Sequence, residues 1–355
     1  MKAGIVLPRG MHFSPQGATS IDIVAHELLS GSRFKDQSYV LGASVEGPYS
    51  GIDFRPLKAR RQNDLISAAI KGLKRDRPDV IVVHQHPESA ARIAKALAPT
   101  PVVLHRHGLL RAERSWFSKW CKQRQFNRLS GLIFVSGFLR SRFLASYPSL
   151  KARCQIAYNS LDTDFWRPAA EKQQTICFVG RARADKGIRE LVEAFVSSPC
   201  PSWELTLILA VLTEEERQFC SGIEAMTFGH PEIRILRNLT QEGVRDQLAT
   251  AQIAVFPSIV EEGFHRAAIE AMACGCATIG VNRGGVPEAT GGAALLIDQV
   301  SPQTIRQPLD RLMSRPEEIS RLAAAGRAHV QSKLETRLVC GQYDDLLETI
   351  ARQRA

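Results

Sequence analysis

Residues Phe256 to Glu288 read FPSIVEEGFHRAAIEAMACGCATIGVNRGGVPE. Apolar residues run up to Phe256, Pro257 and Ser258 break the strand, and Gly263 permits a tight turn. Phe264 to Cys274 has helical composition closed by Gly275, and Ala277 to Val281 is a second apolar strand. A helix N-terminus presents unpaired amides and the positive end of a dipole, so the amides from Gly263 to Arg266 are placed to hold an anion such as a diphosphate. Glu262 and Glu270 lie eight residues apart, about 12 Å along the axis if both are near helical. That exceeds the roughly 5–9.5 Å at which glycosidase carboxylates work together. It suits a nucleotide sugar that meets one carboxylate at its hexose and the other at its ribose, because a carboxylate accepts two hydrogen bonds at once. The plain alternative is a surface helix of an ordinary Rossmann-like domain with two solvated glutamates.

The same strand and helix alternation runs outward in both directions. Before it come strands at Lys2 to Leu7, Asp79 to His84, Pro101 to Leu104 and Gly131 to Val135, with helices at Ile21 to Leu29, Asn63 to Lys74 and Pro87 to Leu97. Nearer the opening stretch lie strands Thr175 to Val179, Leu205 to Ala210, Ile233 to Leu236 and Ile253 to Phe256, with a helix from Gln241 to Ala251. Alternation predicts parallel sheets, whose ligands gather at the carboxyl ends of the strands. Gly17 sits in the loop after the first strand, where small residues let amides approach an anion, while Thr19 or Ser20 is a candidate helix cap. Two strand ends carry histidines, His84 with His86 and His105 with His107. A metal reading depends on whether the strands continue through them, and no metal is expected.

A chain of 355 residues with 44% hydrophobic content accommodates two α/β domains and no more. No run of eighteen apolar residues exists, and Met1 to Pro8 reads as a strand rather than a secretion signal, so the chain is expected inside the cell. Eight scattered cysteines without a C-x-x-C pair suit reduced, buried thiols. Charge is split: residues 1–168 carry 26 Lys plus Arg against 12 Asp plus Glu, and the remainder 20 against 24. The densest basic part, Arg111 to Arg128, interleaves cations with Trp116, Phe117, Trp120 and Phe126. Two readings stand there: a helix lying on an anionic membrane surface, or aromatics packed inward beneath a solvated basic face. No nucleic-acid module accompanies the charge, and nucleic acid is not expected.

The opening stretch resembles the Glu-x7-Glu signature of family 4 retaining glycosyltransferases, in the form EGFHRAAIEAMACG followed by GGVPE (Gly284, Gly285, Glu288). GRARADKG from Gly180 is similar to the G-R-x-x-x-x-K-G motif of that family, and QIAYNSLDTDFWRP to its linker-entry motif, with Ser160 where a glycine is usual. The double glycine frequent near Gly17, and the G-x-G-P loop many relatives have after the strand ending at Ala210, are missing. The resemblance implies a GT-B fold, two Rossmann-like α/β domains facing an interdomain cleft. Residues 1–168 would form the acceptor-side domain, residues 169–337 the nucleotide-sugar domain, and a final helix over about residues 338–355 would pack back on the first.

The resemblance also implies roles. Glu262 contacts the transferred sugar and Glu270 the ribose, while Gly17, Gly263, Phe264, His265 and Arg266 line the donor. Arg181 and Lys186 grip the diphosphate, so that neither a metal nor any other cofactor is needed. His107, or else His105, stands near the reacting centre, and Ser136 lines the acceptor side. Donor binding is expected to close the domains. The implied activity is retaining transfer of a hexose from UDP- or GDP-hexose to an acceptor hydroxyl. An anionic glycolipid or saccharide, as in lipopolysaccharide core or polysaccharide synthesis at the inner face of the cytoplasmic membrane, is the expected acceptor. A soluble sugar phosphate is its rival, and an epimerase or an inactive scaffold are the readings outside transfer.

Overall fold

The computed structural model describes residues 1–7, 11–17, 19–59, 61–110, 115–198 and 202–353. The chain forms two compact units, residues 1–160 with 336–355, and residues 161–335. In the first, β1 (Ala3–Val6), β2 (Tyr39–Ala43), β3 (Phe54–Leu57), β4 (Val80–His84), β5 (Val102–Arg106), β6 (Gly131–Phe134) and β7 (Cys154–Ile156) form one sheet in the order β3-β2-β1-β4-β5-β6-β7. Every pairing is parallel. A parallel sheet needs crossover helices on both faces, which is why Val80 to Val83 are all fully buried. Three of these strands, β2, β3 and β7, have no counterpart in the sequence reading: Gly42 interrupts the first, Pro56 and partial exposure mark the second as an edge, and the third is only three residues long.

The loop after β1 is tied to the helix Ser20–Ser30 by the buried Asp22. Its carboxylate accepts the Thr19 amide at 2.9 Å, the Thr19 hydroxyl at 2.7 Å and the His12 amide at 3.1 Å, which makes Thr19 the cap. The last helix, Thr336–Arg352, lies against Ser20–Ser30, and its Asp344 accepts the Ser32 hydroxyl at 2.6 Å and the Arg33 amide at 2.8 Å.

In the second unit, β8 (Gln173–Arg181), β9 (Glu204–Ala210), β10 (Ile233–Arg237), β11 (Ala251–Phe256), β12 (Ala277–Val281) and β13 (Leu295–Ile297) form a parallel sheet ordered β10-β9-β8-β11-β12-β13. Both units are therefore Rossmann-like, with strand order reversing beside β1 and beside β8. Residues 161–168, which the sequence assigned to the first domain, belong to the second. The Leu161 amide donates to Leu334 O at 2.8 Å, and Arg327 reaches Trp166 O at 3.2 Å. The polar stretch from Pro168 to Gln174 is pinned too: Lys172 Nζ donates to Ala251 O at 2.8 Å and Cys274 O at 2.6 Å.

Among the described residues the cysteines are free, and Cys200 lies outside them. Cys276 Sγ donates to Leu248 O at 3.2 Å, and burial raises its pKa to about 11, so it stays a thiol. No helix among the described residues is long and apolar enough to cross a membrane.

Candidate active site

Ligands of doubly wound sheets bind outside the carboxyl ends of the strands where the order reverses, here between β8 and β11. Arg181 is the last residue of β8, and Phe256 ends β11 just before Pro257 and Ser258. After Arg181 the chain makes one 3-10 turn, Ala184–Lys186, and enters the helix Ile188–Val196 through Gly187, whose φ is +69°. A Cβ on Gly187 would lie 2.1 Å from Pro257 O, so only glycine lets the Lys186 turn close on the end of β11. Ile259 N then donates to Asp185 O at 2.9 Å and joins the two loops.

That contact brings Lys186 to Glu262. Lys186 Nζ donates to Glu262 Oε1 at 2.7 Å, and the Ser258 hydroxyl donates to the same oxygen at 2.7 Å. Burial alone would raise the Glu262 carboxyl. The neighbouring His265 and Lys186, with the hydrogen bonds from Lys186 and Ser258, outweigh it and hold the carboxyl at about 2. Burial pushes the His265 imidazole down, so near neutrality Lys186 is the standing cation, and His265 adds its charge in acid, where Glu262 titrates. His265 is also the N-cap of the helix Arg266–Ala273, its Nδ1 accepting the Ala268 amide at 3.3 Å. The proton therefore sits on Nε2, which faces Glu262 Oε1 at 3.5 Å.

The helix starts at Arg266, two residues later than the sequence implied, and Glu262 lies in the preceding loop. The premise that both glutamates are helical thus fails for Glu262. Its loop is set instead by Gly285, whose amide donates to Glu262 O at 2.8 Å and whose missing side chain leaves room for Gly263 O. Glu270 is buried on the helix, and Arg266 Nε donates to its Oε1 at 2.7 Å. Arg266 thus supports Glu270. Phe264 is buried beside the turn.

Arg181 is turned to Glu216, with 2.6 Å between Nη2 and Oε1. Burial would raise the Glu216 carboxyl, but the Leu212 and Thr213 amides and Arg181 keep it below the usual range. Glu216 and Ser258 are site residues that the sequence reading missed. The capping box Thr213 to Glu216 was a signal for the first; Ser258 registered only as a strand breaker.

In the first unit, Gly17 follows β1 with φ +77°. His105 ends up fully buried, and His107, one residue past β5, is partly exposed and 2.9 Å from His84 through Nε2 and Nδ1. Ser136 is not a surface residue. It is fully buried, and its hydroxyl accepts the Leu139 amide at 3.2 Å as cap of the helix Gly137–Ser146. Of the basic stretch, Arg111 and Arg114 lie outside the described residues. The helix Trp116–Phe126 buries Phe126 and leaves Trp116, Phe117 and Trp120 exposed at 80%, 58% and 48%.

Comparison with known proteins bears on the family and the fold. The family described as "Glycosyl transferases group 1" matches residues 162–329, and "Glycosyltransferase Family 4" matches residues 24–165. The alpha-maltose-1-phosphate synthase of Mycolicibacterium smegmatis is 25% identical over 328 residues, covering 81% of this chain and 84% of its own. The Anabaena protein HepE, solved in complex with UDP, superposes with a TM-score of 0.82 at 16% identity, covering 98% of this chain and 100% of its own. Sucrose-phosphate synthase from Thermosynechococcus elongatus gives 0.81 at 17%, with 99% and 100% covered. With two parallel Rossmann-like sheets and these matches across both halves, the chain belongs to the family 4 glycosyltransferases of GT-B fold, which act on nucleotide sugars.

Proposed function

We propose that the protein is a retaining hexosyltransferase that carries a hexose from UDP- or GDP-hexose to a hydroxyl of an anionic acceptor, with no metal at the diphosphate. The observation that carries this reading is the Lys186 and Glu262 pair at the carboxyl end of the β8 and β11 crevice. Lys186 and Arg181 supply fixed positive charge for the departing diphosphate, which stabilises the transition state where charge develops. Glu262, ionised throughout the physiological range, accepts from the hexose hydroxyls, and Glu270 from the ribose. A carboxyl held at about 2 is too weak a base to deprotonate an alcohol near neutrality. By resemblance to the family, the departing phosphate oxygen takes the acceptor proton as the anomeric carbon–oxygen bond breaks, and the new bond forms on the same face.

The acceptor side favours an anionic amphiphile on the cytoplasmic leaflet. A cavity of about 450 Å³ is lined by Lys119, from the helix that carries the exposed aromatics, and Arg142 together with Leu109, Leu139 and Phe143. Such a lining accommodates phosphate and hydrocarbon together. A sugar phosphate is the second reading, favoured by the name of the mycobacterial relative.

The test is thermal stabilisation by a panel of UDP-, GDP- and ADP-sugars on wild type and Glu270→Ala, followed by the anomeric configuration of the product. A donor at 100 times its Kd should stabilise wild type by about 2.7 kcal/mol, and Glu270→Ala should need far more of it. No shift with any donor, or an inverted product, overturns the reading.

A further inference from the structure

Beyond the donor site, the first unit holds a histidine constellation whose arrangement the transfer reading leaves unexplained. β4 and β5 pair in register with His84 opposite His105. Alternation along an extended chain returns His107, two residues on, to the same side. The three rings meet: their centroids are 5.1 Å apart for His84 with His105, 4.5 Å for His105 with His107, and 5.1 Å for His84 with His107. One ring nitrogen from each lies within 4.8 Å of the other two.

His105 is the informative member. It is fully buried, its ring stacks on Tyr343 with centroids 5.5 Å apart, and neither of its nitrogens has a hydrogen-bond partner. Proteins rarely bury a polar ring with both nitrogens unsatisfied. The adjacent Arg106 does not serve it: Nη1 and Nη2 donate to the carbonyls of Gln85, Gly108 and Leu109, and Nε makes no hydrogen bond.

We propose that His84, His105 and His107 form a binding site for a zinc-class transition-metal ion in the first domain. Three imidazole nitrogens with one open position are a donor set for Zn2+, and an all-nitrogen set disfavours Mg2+ and Ca2+, which prefer oxygen. Ligand nitrogens in a tetrahedral zinc site stand about 3.3 Å apart, so His84 and His107, hydrogen-bonded at 2.9 Å, would part slightly and His105, within 4.8 Å of both, would turn toward them. Partial exposure of His107 gives the ion its way in. His86 is not part of the set, because its Nδ1 is engaged by Ser89 at 2.7 Å where it caps the helix Pro87–Ala96.

Chelator-treated full-length protein, titrated with Zn2+ by calorimetry and with Co2+ by visible absorption, tests this without donor or acceptor, so its failure leaves the transfer reading untouched. Wild type should take up one Zn2+ per chain and give Co2+ ligand-field bands. His105→Phe keeps the stacked ring, removes both orphaned nitrogens and should melt no lower than wild type while losing the bands. His107→Gln, at the solvent edge, should weaken Zn2+ at least about tenfold. His86→Asn, which preserves a helix cap, should bind as wild type does. Absence of uptake by wild type, unchanged uptake by His105→Phe and His107→Gln, or its loss in His86→Asn overturns the assignment.

Discussion

Lys186 Nζ lies 2.7 Å from Glu262 Oε1, so the cation assigned to the diphosphate and the carboxylate assigned to the hexose are partners in the protein itself. A diphosphate that recruits Lys186 competes with Glu262 for it. Glu262→Gln should therefore bind the free nucleoside diphosphate at least as tightly as wild type while kcat falls by about a hundredfold or more. Lys186→Met should weaken both. The double variant should show coupling of roughly 1–3 kcal/mol in stability, between the values of exposed and buried pairs. Calorimetry with the diphosphate, steady-state kinetics and denaturant midpoints read the three quantities.

The same pair sets an acid dependence. The Glu262 carboxyl is depressed from 4.5 to about 2, so its stabilising contribution is fully present above about 4.5 and disappears as pH falls toward 2. The stability gap between wild type and Glu262→Gln should be level from pH 7 to about 5 and close below that. A gap that widened in acid would contradict the sign.

Arg181 is held by Glu216 at 2.6 Å rather than by Glu262, which makes Glu216 a positioning residue. Arg181→Ala should lower kcat/KM for the donor by about 10²–10³, the usual loss of one transition-state donor. Glu216→Gln keeps an oxygen for the Leu212 and Thr213 amides and loses only the charge that aims Arg181. It should raise donor KM by about tenfold with little change in kcat, and addition of charge-free solutes should not restore it. Equal loss in kcat would place Glu216 in contact with the reaction instead.

Gly285 approaches the Glu262 loop so closely that a Cβ would lie 2.2 Å from Gly263 O. Gly285→Ala should cost roughly 1–3 kcal/mol and move Glu262 off Lys186, abolishing transfer. Gly341 offers the contrast: nothing lies within 4 Å of its missing Cβ, in the helix Thr336–Arg352. Gly341→Ala should stabilise by about 0.4–1 kcal/mol with full activity.

Periodicity carried much of the fold, because β4, β5, β6, β11 and β12 are buried on both faces and read as unbroken apolar runs. β2 and β3 were illegible since a glycine, a proline and an exposed edge dilute the pattern. Glu262, Lys186 and Arg181 were singled out through motif spacing. Their partners, Ser258 and Glu216, come from loops and helices whose convergence only the strand order decides. The three-histidine cluster was hidden for the same reason: spacing within each H-x-H pair is visible in the chain, but the register that sets His84 opposite His105 is not.

The exposed rings of Trp116, Phe117 and Trp120 give the last prediction. Phe117 stacks on Trp120 and Trp116 meets Phe117 edge-on, both with centroids 6.0 Å apart, so the three form one apolar patch rather than isolated side chains. Arg124 lies over the Trp120 ring at 4.7 Å, whereas Lys122 is spent on Glu88 at 2.8 Å. Burying two such rings in a headgroup layer contributes roughly 1.5–3 kcal/mol each, and each nearby cation about 1 kcal/mol on an anionic surface. Trp116→Ala with Trp120→Ala should therefore lower affinity for vesicles containing anionic lipid by at least about a hundredfold. The unfolding free energy should stay within about 0.5 kcal/mol of wild type, because neither ring is in the core. High salt should weaken the wild type, since only its charge contribution is screened. Sedimentation with vesicles reads the outcome, and a wild type that stays in the supernatant at low salt would leave the sugar-phosphate acceptor as the reading to pursue.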